Sequence, residues 1–149
     1  KINEDSKIQE EINNFLKEKN IDASGYVESF KHTSENECIY AYTLKYNDYS
    51  IDNSYMYFFV DNEGIYKFEM QRIISVDEIP EKIRTIYAIE ALPRILTYPE
   101  IKNKEIIKIE MTYYSAEDEN WHNIERINSD PTWKVIFSDG TQIHLPGIE

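Results

Sequence analysis

Apolar residues recur at helical spacing near the start of the chain, and this pattern predicts a helix over residues 6–20. Ser6 and Gln9 fit a capping box at its first turn, in which the hydroxyl and the amide satisfy otherwise unpaired backbone N–H groups. The opposite face is polar, so the helix is amphipathic and is expected to lie on a sheet. Its apolar face consists of Ile8, Ile12, Phe15 and Leu16.

The pattern changes to a two-residue period over residues 26–74, which predicts a β-meander. The segment 39–46 places alternate aromatic and aliphatic side chains on one face. The segment 54–60 is apolar on both faces, which is typical of a central strand covered on both sides. Residues 61–64 form a turn, and the segment 65–70 returns as the next strand.

Helical spacing resumes over residues 78–96 and predicts a second helix. Asp77 is the expected N-cap, and Pro80 falls in the first turn, where its missing N–H costs little. Pro93 is expected to break or kink the helix near its end. The side chains at helical spacing are Ile79, Ile83, Ile86, Tyr87, Glu90, Leu92, Ile95 and Leu96.

A second β region follows this helix. Apolar and polar residues alternate over 107–113, as in a half-buried strand. Residues 115–130 form a polar, acidic loop. The segment 133–137 is the next strand, and Asp139-Gly140 is a hairpin turn that leads into a last strand at 143–145.

These elements predict an α+β fold with two helices packed on antiparallel sheet, in the order α-β-β-β-β-α-β-β-β. A chain of 149 residues with 41% hydrophobic residues is long and apolar enough for one core, so we expect a single domain, 1–149. The hairpin glycines Gly64 and Gly140 are separated by a repeat-like interval. This interval is compatible with a duplicated helix-plus-meander unit, with halves 1–76 and 77–149. Chance is the alternative, because a helix followed by a meander is a common arrangement.

The segment from Trp133 to Thr141, with the pattern W-x-V-x-F-x-D-G-T, resembles the closing hairpin of PepSY-like domains. These domains are small helix-plus-antiparallel-sheet modules of secreted and lipid-anchored bacterial proteins. The resemblance implies an extracytoplasmic, non-enzymatic role in binding or inhibition, and it brings no catalytic residues. The loop at 115–130 is longer than such modules usually carry.

The net charge limits the kinds of partner that this chain is expected to bind, and the cysteine content limits its cross-links. The formal net charge is −12, and basic residues are scattered among acids, which disfavours binding to nucleic acid or to an anionic membrane surface. A protein with a basic surface is the candidate partner, but acidity that only keeps a protein soluble is the more common explanation of such a charge. Cys38 is the sole cysteine, so no internal disulfide can form. The chain has no apolar run of membrane-spanning length. Because it begins at Lys1, we expect that an upstream segment was removed or left out, whether a signal peptide, a lipid anchor or a tag.

No motif predicts catalysis, a metal site or a cofactor. Glu119 and His122 have the E-x-x-H spacing of a helical metal site, but a solvated loop is the stronger interpretation, because no second copy of the spacing exists. Cys38 lies in a predicted strand, where a small buried thiol is the usual state. The three histidines form no recognisable activated nucleophile with the other residues, and carboxylate pairs are unavoidable in so acidic a chain. The four glycines are dispersed, so no Gly-rich phosphate loop is present.

Aromatic content is the unusual positive feature, with 12 tyrosines. Tyrosine combines an apolar ring with a polar tip and is enriched at protein interfaces. The alternative is that these rings cover the sheet beneath the helices. The predicted partner-binding residues join two such rings to the acidic loop that follows them, namely Tyr113, Tyr114, Glu117, Asp118, Glu119 and Trp121.

Three functions remain open on this basis. The first is a non-enzymatic extracytoplasmic binding or accessory module, the folded part of a bacterial lipoprotein. The second is an intracellular acidic inhibitor or immunity protein that neutralises a basic partner. The third is a small-molecule-binding α+β domain with a pocket between helices and sheet.

Overall fold

The computed structural model describes residues 5–116 and 126–148. It confirms the α+β class and the predicted order of helices and strands. A short 3-10 helix at Pro99–Ile101 follows the second helix. The two helices and seven strands are α1 (Asp5–Glu18), β1 (Tyr26–Thr33), β2 (Cys38–Tyr46), β3 (Tyr49–Val60), β4 (Ile65–Gln71), α2 (Ala88–Ile95), β5 (Ile106–Tyr114), β6 (Asp130–Phe137) and β7 (Gln142–Pro146).

The chain forms two compact units that share β3. The N-terminal unit comprises Lys1–Tyr46 and Ser54–Arg72, and the C-terminal unit comprises Asn47–Asn53 and Ile73–Glu149. The strand order is β1-β2-β3-β5-β6-β7, with β4 also paired to β3. The predicted half-repeat boundary after residue 76 stays a prediction.

The sheet is mixed rather than wholly antiparallel. β3 and β5 run parallel where Ser50 lies beside Thr112 and Ile51 lies beside Tyr113. The strand pairs β1–β2, β3–β4, β5–β6 and β6–β7 are antiparallel. A parallel contact needs a long crossover between its two strands, and residues 61–105 supply one here.

The N-terminal unit buries the apolar face of α1 against β2, β3 and β4. Ile8 and Ile12 pack with Tyr40, Met56 and Phe58 in a core from which water is almost wholly excluded. Burying large apolar side chains in this way stabilises a fold by about 1.5–3 kcal/mol for each one. The predicted alternative for the tyrosines is therefore confirmed at Tyr40, which lies beneath a helix.

Polar contacts between α1 and the sheet replace the predicted capping box. Ser6 lies inside α1, not before it. The Gln9 side chain accepts a hydrogen bond from the Tyr42 hydroxyl at 2.9 Å and donates one to Glu28 at 3.2 Å. The capping-box prediction was wrong because long-range partners on the sheet take the amide that the local motif would have used.

The aromatic strand β3 has one core face and one half-buried face. Met56, Phe58 and Val60 are buried, as predicted. On the other face, the Tyr55 and Tyr57 rings are half-buried and their centroids lie 4.8 Å apart. The prediction of a strand covered equally on both sides therefore holds in full for the first face and only in part for the second.

The C-terminal unit packs α2 on the sheet face formed by β6 and β7. Ala91 and Ile95 contact a core that includes Val135, Phe137 and Leu145. The Trp133 indole N–H donates to the Ile86 carbonyl at 3.0 Å, which ties the segment before α2 to the sheet.

The second helix is much shorter than the predicted 78–96. It begins at Ala88, and the Tyr87 N–H donates to the Glu90 carboxylate at 2.7 Å across its first turn. Asp77 is not its N-cap. Pro93 lies inside the helix, which ends two residues later.

Long-range backbone pairing explains the later start of α2. The Ile86 N–H donates to the Gly147 carbonyl at 2.8 Å, and Thr85 forms an antiparallel bridge with Ile148. These bonds require an extended backbone immediately before the helix. Within the described residues, no helix is both long enough and apolar enough to cross a membrane.

Candidate protein-binding surface

The predicted contact site was centred on Tyr113 and Tyr114, which are consecutive residues of β5. Side chains of consecutive strand residues point to opposite faces of a sheet, so these two rings lie on different faces. The Tyr113 ring meets the Tyr49 ring edge-on with centroids 5.9 Å apart. The other predicted residues, Glu117, Asp118, Glu119 and Trp121, lie outside the described residues, and the contact site stays a prediction.

Tyr114 belongs to a buried polar cluster that the sequence did not reveal. Its ring stacks on the His144 imidazole, with centroids 3.8 Å apart and planes inclined by 9°. His144 Nε2 lies 2.6 Å from Asp52 Oδ2, and Lys134 Nζ lies 3.3 Å from Asp52 Oδ1. The side chains of Asp52 and Lys134 are only 5% and 4% exposed, so this ion pair is nearly dry.

The cluster requires a strongly curved sheet. Asp52 is on β3 and His144 is on β7, with β5 and β6 between them. Neighbouring strands are spaced by about 4.8 Å, so a flat sheet would hold these two strands about 14 Å apart. Because the side chains nevertheless meet, we infer that the strands of the C-terminal unit bend toward this face.

The electrostatics of the cluster favour an ionised Asp52. Burial works to raise the pKa of the Asp52 carboxyl, but the hydrogen bond to His144 and the positive charge of Lys134 outweigh it and hold the pKa below its usual value. A buried lysine needs such a partner, because an unpaired buried charge is strongly unfavourable. The ion pair and the hydrogen bond of Asp52 therefore link three strands, β3, β6 and β7.

The Thr112 hydroxyl lies on the adjacent strand and is buried, and no partner for it is present in the part of the chain described here. Within residues 5–116 and 126–148, no set of three or more His, Cys, Asp or Glu side chains is placed to hold a metal ion. The Glu119–His122 pair lies outside those ranges.

The outer side of α2 exposes large apolar side chains instead. We use the name α2 outer surface for Ile89, Pro93 and Leu96. Tyr87, Ile89 and Leu96 are 76%, 75% and 87% exposed, and Ile83 is 47% exposed. Scattered apolar residues are normal on protein surfaces, but a group within one short segment is typical of an interaction site.

The helix carries this surface because it is apolar on two sides. Ile89, Pro93 and Leu96 have the spacing i, i+4, i+7 and share the outward side. Ala91 and Ile95 share the side that packs on the sheet. A helix of eight residues cannot bury both sides against one sheet, so one of them faces water.

The long helix predicted from the sequence gave no indication of the α2 outer surface. It placed Tyr87 and Leu96 in the same helical pattern as the buried Ile86 and Ile95, whereas the structure exposes the first two. Ile89 was the available indication, because it does not fit that pattern although it is as apolar as its neighbours.

Comparison with known proteins gives the family. No curated protein matches the chain. Among solved structures, the Bacillus megaterium YpeB C-terminal domain is similar with a TM-score of 0.49 and 11% identity, over 99% of this chain and 68% of that one. The family described as YycI protein matches residues 1–144. Since this match spans nearly the whole sequence, the chain belongs to the YycI family.

Proposed function

We propose that this chain is a non-enzymatic accessory module that acts outside the cytoplasm by binding protein through the α2 outer surface. Membership of the YycI family supports an accessory, protein-interacting role. The resemblance of the hairpin from Trp133 to Thr141 to PepSY-like modules supports the extracytoplasmic side.

The observation that carries the proposal is the exposure of Ile89 and Leu96 on one side of α2. Moving these side chains from water into an interface is favourable at roughly 25 cal/mol for each Å² buried. Large exposed hydrophobic groups also reduce solubility, so a surface that keeps them is best explained by a protein that covers them.

The site predicted from sequence is a separate proposal. The net charge of −12 supports a basic partner for the acidic segment Glu117–Asp118–Glu119. The α2 outer surface differs from that segment, because acids and bases nearly balance around it. Between residues 77 and 96 the acids are Asp77, Glu78, Glu81 and Glu90, and the bases are Lys82, Arg84 and Arg94.

Photo-crosslinking in the source cells tests protein binding directly. A photoreactive amino acid is placed at Ile89, and a matched control carries it at Lys45, an exposed polar position on β2. We expect an ultraviolet-dependent adduct at Ile89 that mass spectrometry assigns to a defined protein and that is absent at Lys45. Equal labelling at both positions, or none at Ile89, would remove the proposal.

A labelling experiment tests the compartment and separates this function from an intracellular inhibitor. The substitution Lys45→Cys places a thiol at an exposed position on β2, outside the α2 outer surface, whereas the native Cys38 is buried. A membrane-impermeant maleimide should label the variant in intact cells as fully as in lysed cells. Labelling only after lysis would favour the intracellular inhibitor.

A further inference from the structure

We infer that the α2 outer surface pairs two copies of this chain, with the α2 helices antiparallel about a two-fold axis. The inference rests on the proposed function, that this surface binds protein, and it identifies that protein as a second copy. Three observations lead to it: the apolar stripe, the order of charges beside the stripe, and the local balance of charge.

The stripe is self-complementary when two helices run antiparallel. Residues advance by 1.5 Å each along a helix, so a two-fold axis midway between positions 92 and 93 sets Ile89 opposite Leu96 of the second copy. The same axis sets Leu96 opposite Ile89 of the second copy and places the exposed Pro93 close to the axis. Each large side chain thus meets another large apolar side chain.

The charges beside the stripe favour the same arrangement. Glu90 and Arg94 lie on the same flank of α2, because they are four residues apart. An axis that runs along the interface and across the helices keeps this flank on the same side in both copies. Along the helix axis, Glu90 is then offset by about one residue rise from Arg94 of the second copy, and Arg94 is offset equally from Glu90 of the second copy.

Parallel helices would not have this complementarity. A two-fold axis along parallel helices places this flank on opposite sides of the interface in the two copies, so Glu90 and Arg94 of one copy meet neither charge of the other. Only antiparallel helices bring Glu90 of one copy near Arg94 of the second copy, and these two charges therefore favour the antiparallel orientation.

The net charge of the chain also restricts where two copies can meet. Each copy carries −12, so most contacts between copies would bring acids together. The α2 outer surface avoids this repulsion between acids, because acids and bases nearly balance between residues 77 and 96. Its apolar area is small compared with the roughly 800 Å² per partner of a standard interface, so we expect a weak, concentration-dependent dimer.

Sedimentation velocity of the 149-residue chain over a concentration series tests the pairing. The wild type should shift from a 17.8 kDa monomer toward a dimer as its concentration rises. Ile89→Glu should raise the dimer dissociation constant at least ten-fold, because it places two carboxylates in the apolar stripe. Ile107→Glu, which changes an exposed isoleucine on β5, is the matched control and should leave the constant unchanged.

Disulfide trapping tests the register. A mixture of Ile89→Cys and Leu96→Cys chains should form mixed disulfides at least five-fold faster than Ile89→Cys chains form disulfides with each other. Pro93→Cys chains should link to themselves readily, because this position is close to the axis. The native Cys38 is buried and should not contribute. Faster self-linking of Ile89→Cys would overturn the antiparallel arrangement.

Charge reversals at Glu90 and Arg94 test whether these two charges contribute to the pairing. Arg94→Glu should weaken the dimer, because it sets two carboxylates side by side. The double variant Glu90→Arg, Arg94→Glu should restore the dimer, with helix content checked by circular dichroism because Glu90 contacts the first turn of α2. Failure to restore a folded double variant would contradict the pairing of these charges.

These results can be separated from a failure of the proposed function. A chain that stays monomeric at all concentrations, and that Ile89→Glu leaves unchanged, overturns the self-pairing. If the photo-adduct at Ile89 then joins a different protein, protein binding at the α2 outer surface stands with another partner. If no adduct forms either, both proposals fall.

Discussion

Asp52 Oδ2 lies 2.6 Å from His144 Nε2, although two strands separate the strands that carry these residues. Lys134, on the strand next to His144, shares the same carboxylate. One buried carboxylate therefore connects β3, β6 and β7 of the C-terminal unit. Removing it should destabilise that unit, because it would leave a buried ammonium group unpaired.

We expect Asp52→Asn to lower the free energy of unfolding by about 3–5 kcal/mol, because it leaves the Lys134 ammonium buried without an opposite charge. Urea denaturation followed by circular dichroism measures the change. Asp130→Asn, at an exposed position on β6, is the control and should change stability by less than about 0.5 kcal/mol.

A double variant shows whether the buried charge is the cause. Asp52→Asn combined with Lys134→Met removes the charge as well as its partner, and most of the lost stability should return. If the double variant is as unstable as Asp52→Asn alone, the loss comes from packing rather than from the unpaired ammonium.

The lowered pKa of Asp52 predicts a particular response to acid. Because the folded-state pKa lies below the unfolded value of about 3.9, the unfolded chain binds more protons in the interval between them. The contribution of Asp52 is therefore complete above the unfolded pKa and is lost as the pH falls through the folded pKa.

Unfolding titrations at several pH values between 2 and 6 test this response. The difference in unfolding free energy between wild type and Asp52→Asn should be constant above about pH 5 and should shrink toward pH 2. Subtracting the variant removes the contribution of other carboxyls with lowered pKa, such as Asp5, Asp22 and Asp139. A difference that grows on acidification would contradict the assignment.

The fold was predictable where local patterns and tertiary packing agree. Alternation in 39–46 predicted β2, the segment 54–60 with two apolar faces predicted β3, and the helical spacing of Ile8 and Ile12 predicted α1. The start of α2 was not predictable, because Ile86 pairs with Gly147, a residue far along the chain. Helical spacing in the preceding segment was overruled by these sheet-like bonds.

The buried polar cluster and the α2 outer surface were both missed from the sequence, because each depends on tertiary packing. Lys134 lies inside the apolar run Trp133–Phe137, but its partners Asp52 and His144 are brought near it by sheet curvature, which no local pattern encodes. The α2 outer surface was equally hidden, because exposure depends on which side of a short helix packs on the sheet. The tyrosine excess drew attention to Tyr114, whose ring stacks on His144 within the buried cluster.

The close approach at Gly147 gives a third prediction. A Cβ atom added there would lie 2.6 Å from the Pro131 carbonyl oxygen, which is backbone and cannot rotate away. Gly147 also accepts the hydrogen bond from the Ile86 N–H and donates one to Pro131 at 3.1 Å. Gly147→Ala should therefore destabilise the chain by about 1–3 kcal/mol, as overpacking does elsewhere.

Thermal and urea unfolding of Gly147→Ala measure this loss. Ser138→Ala, at an exposed turn position of the neighbouring hairpin, is the control and should be close to neutral. A neutral Gly147→Ala would mean that the segment after β7 shifts freely, and that the bonds before α2 do not fix the start of that helix.

Two adjacent residues at the end of α2 test which of its sides is buried. Ile95 is 4% exposed and packs in the core of the C-terminal unit, whereas Leu96 is 87% exposed. Ile95→Ala should lower the free energy of unfolding by about 2–5 kcal/mol through lost burial and a cavity. Leu96→Ala should change it by less than about 0.5 kcal/mol, because the side chain is already in water. Both are measured by urea denaturation at low protein concentration, where self-pairing does not contribute. Equal losses at the two positions would support the long helix predicted from sequence, in which both residues lie on the buried side. They would also remove the basis for an outward apolar stripe.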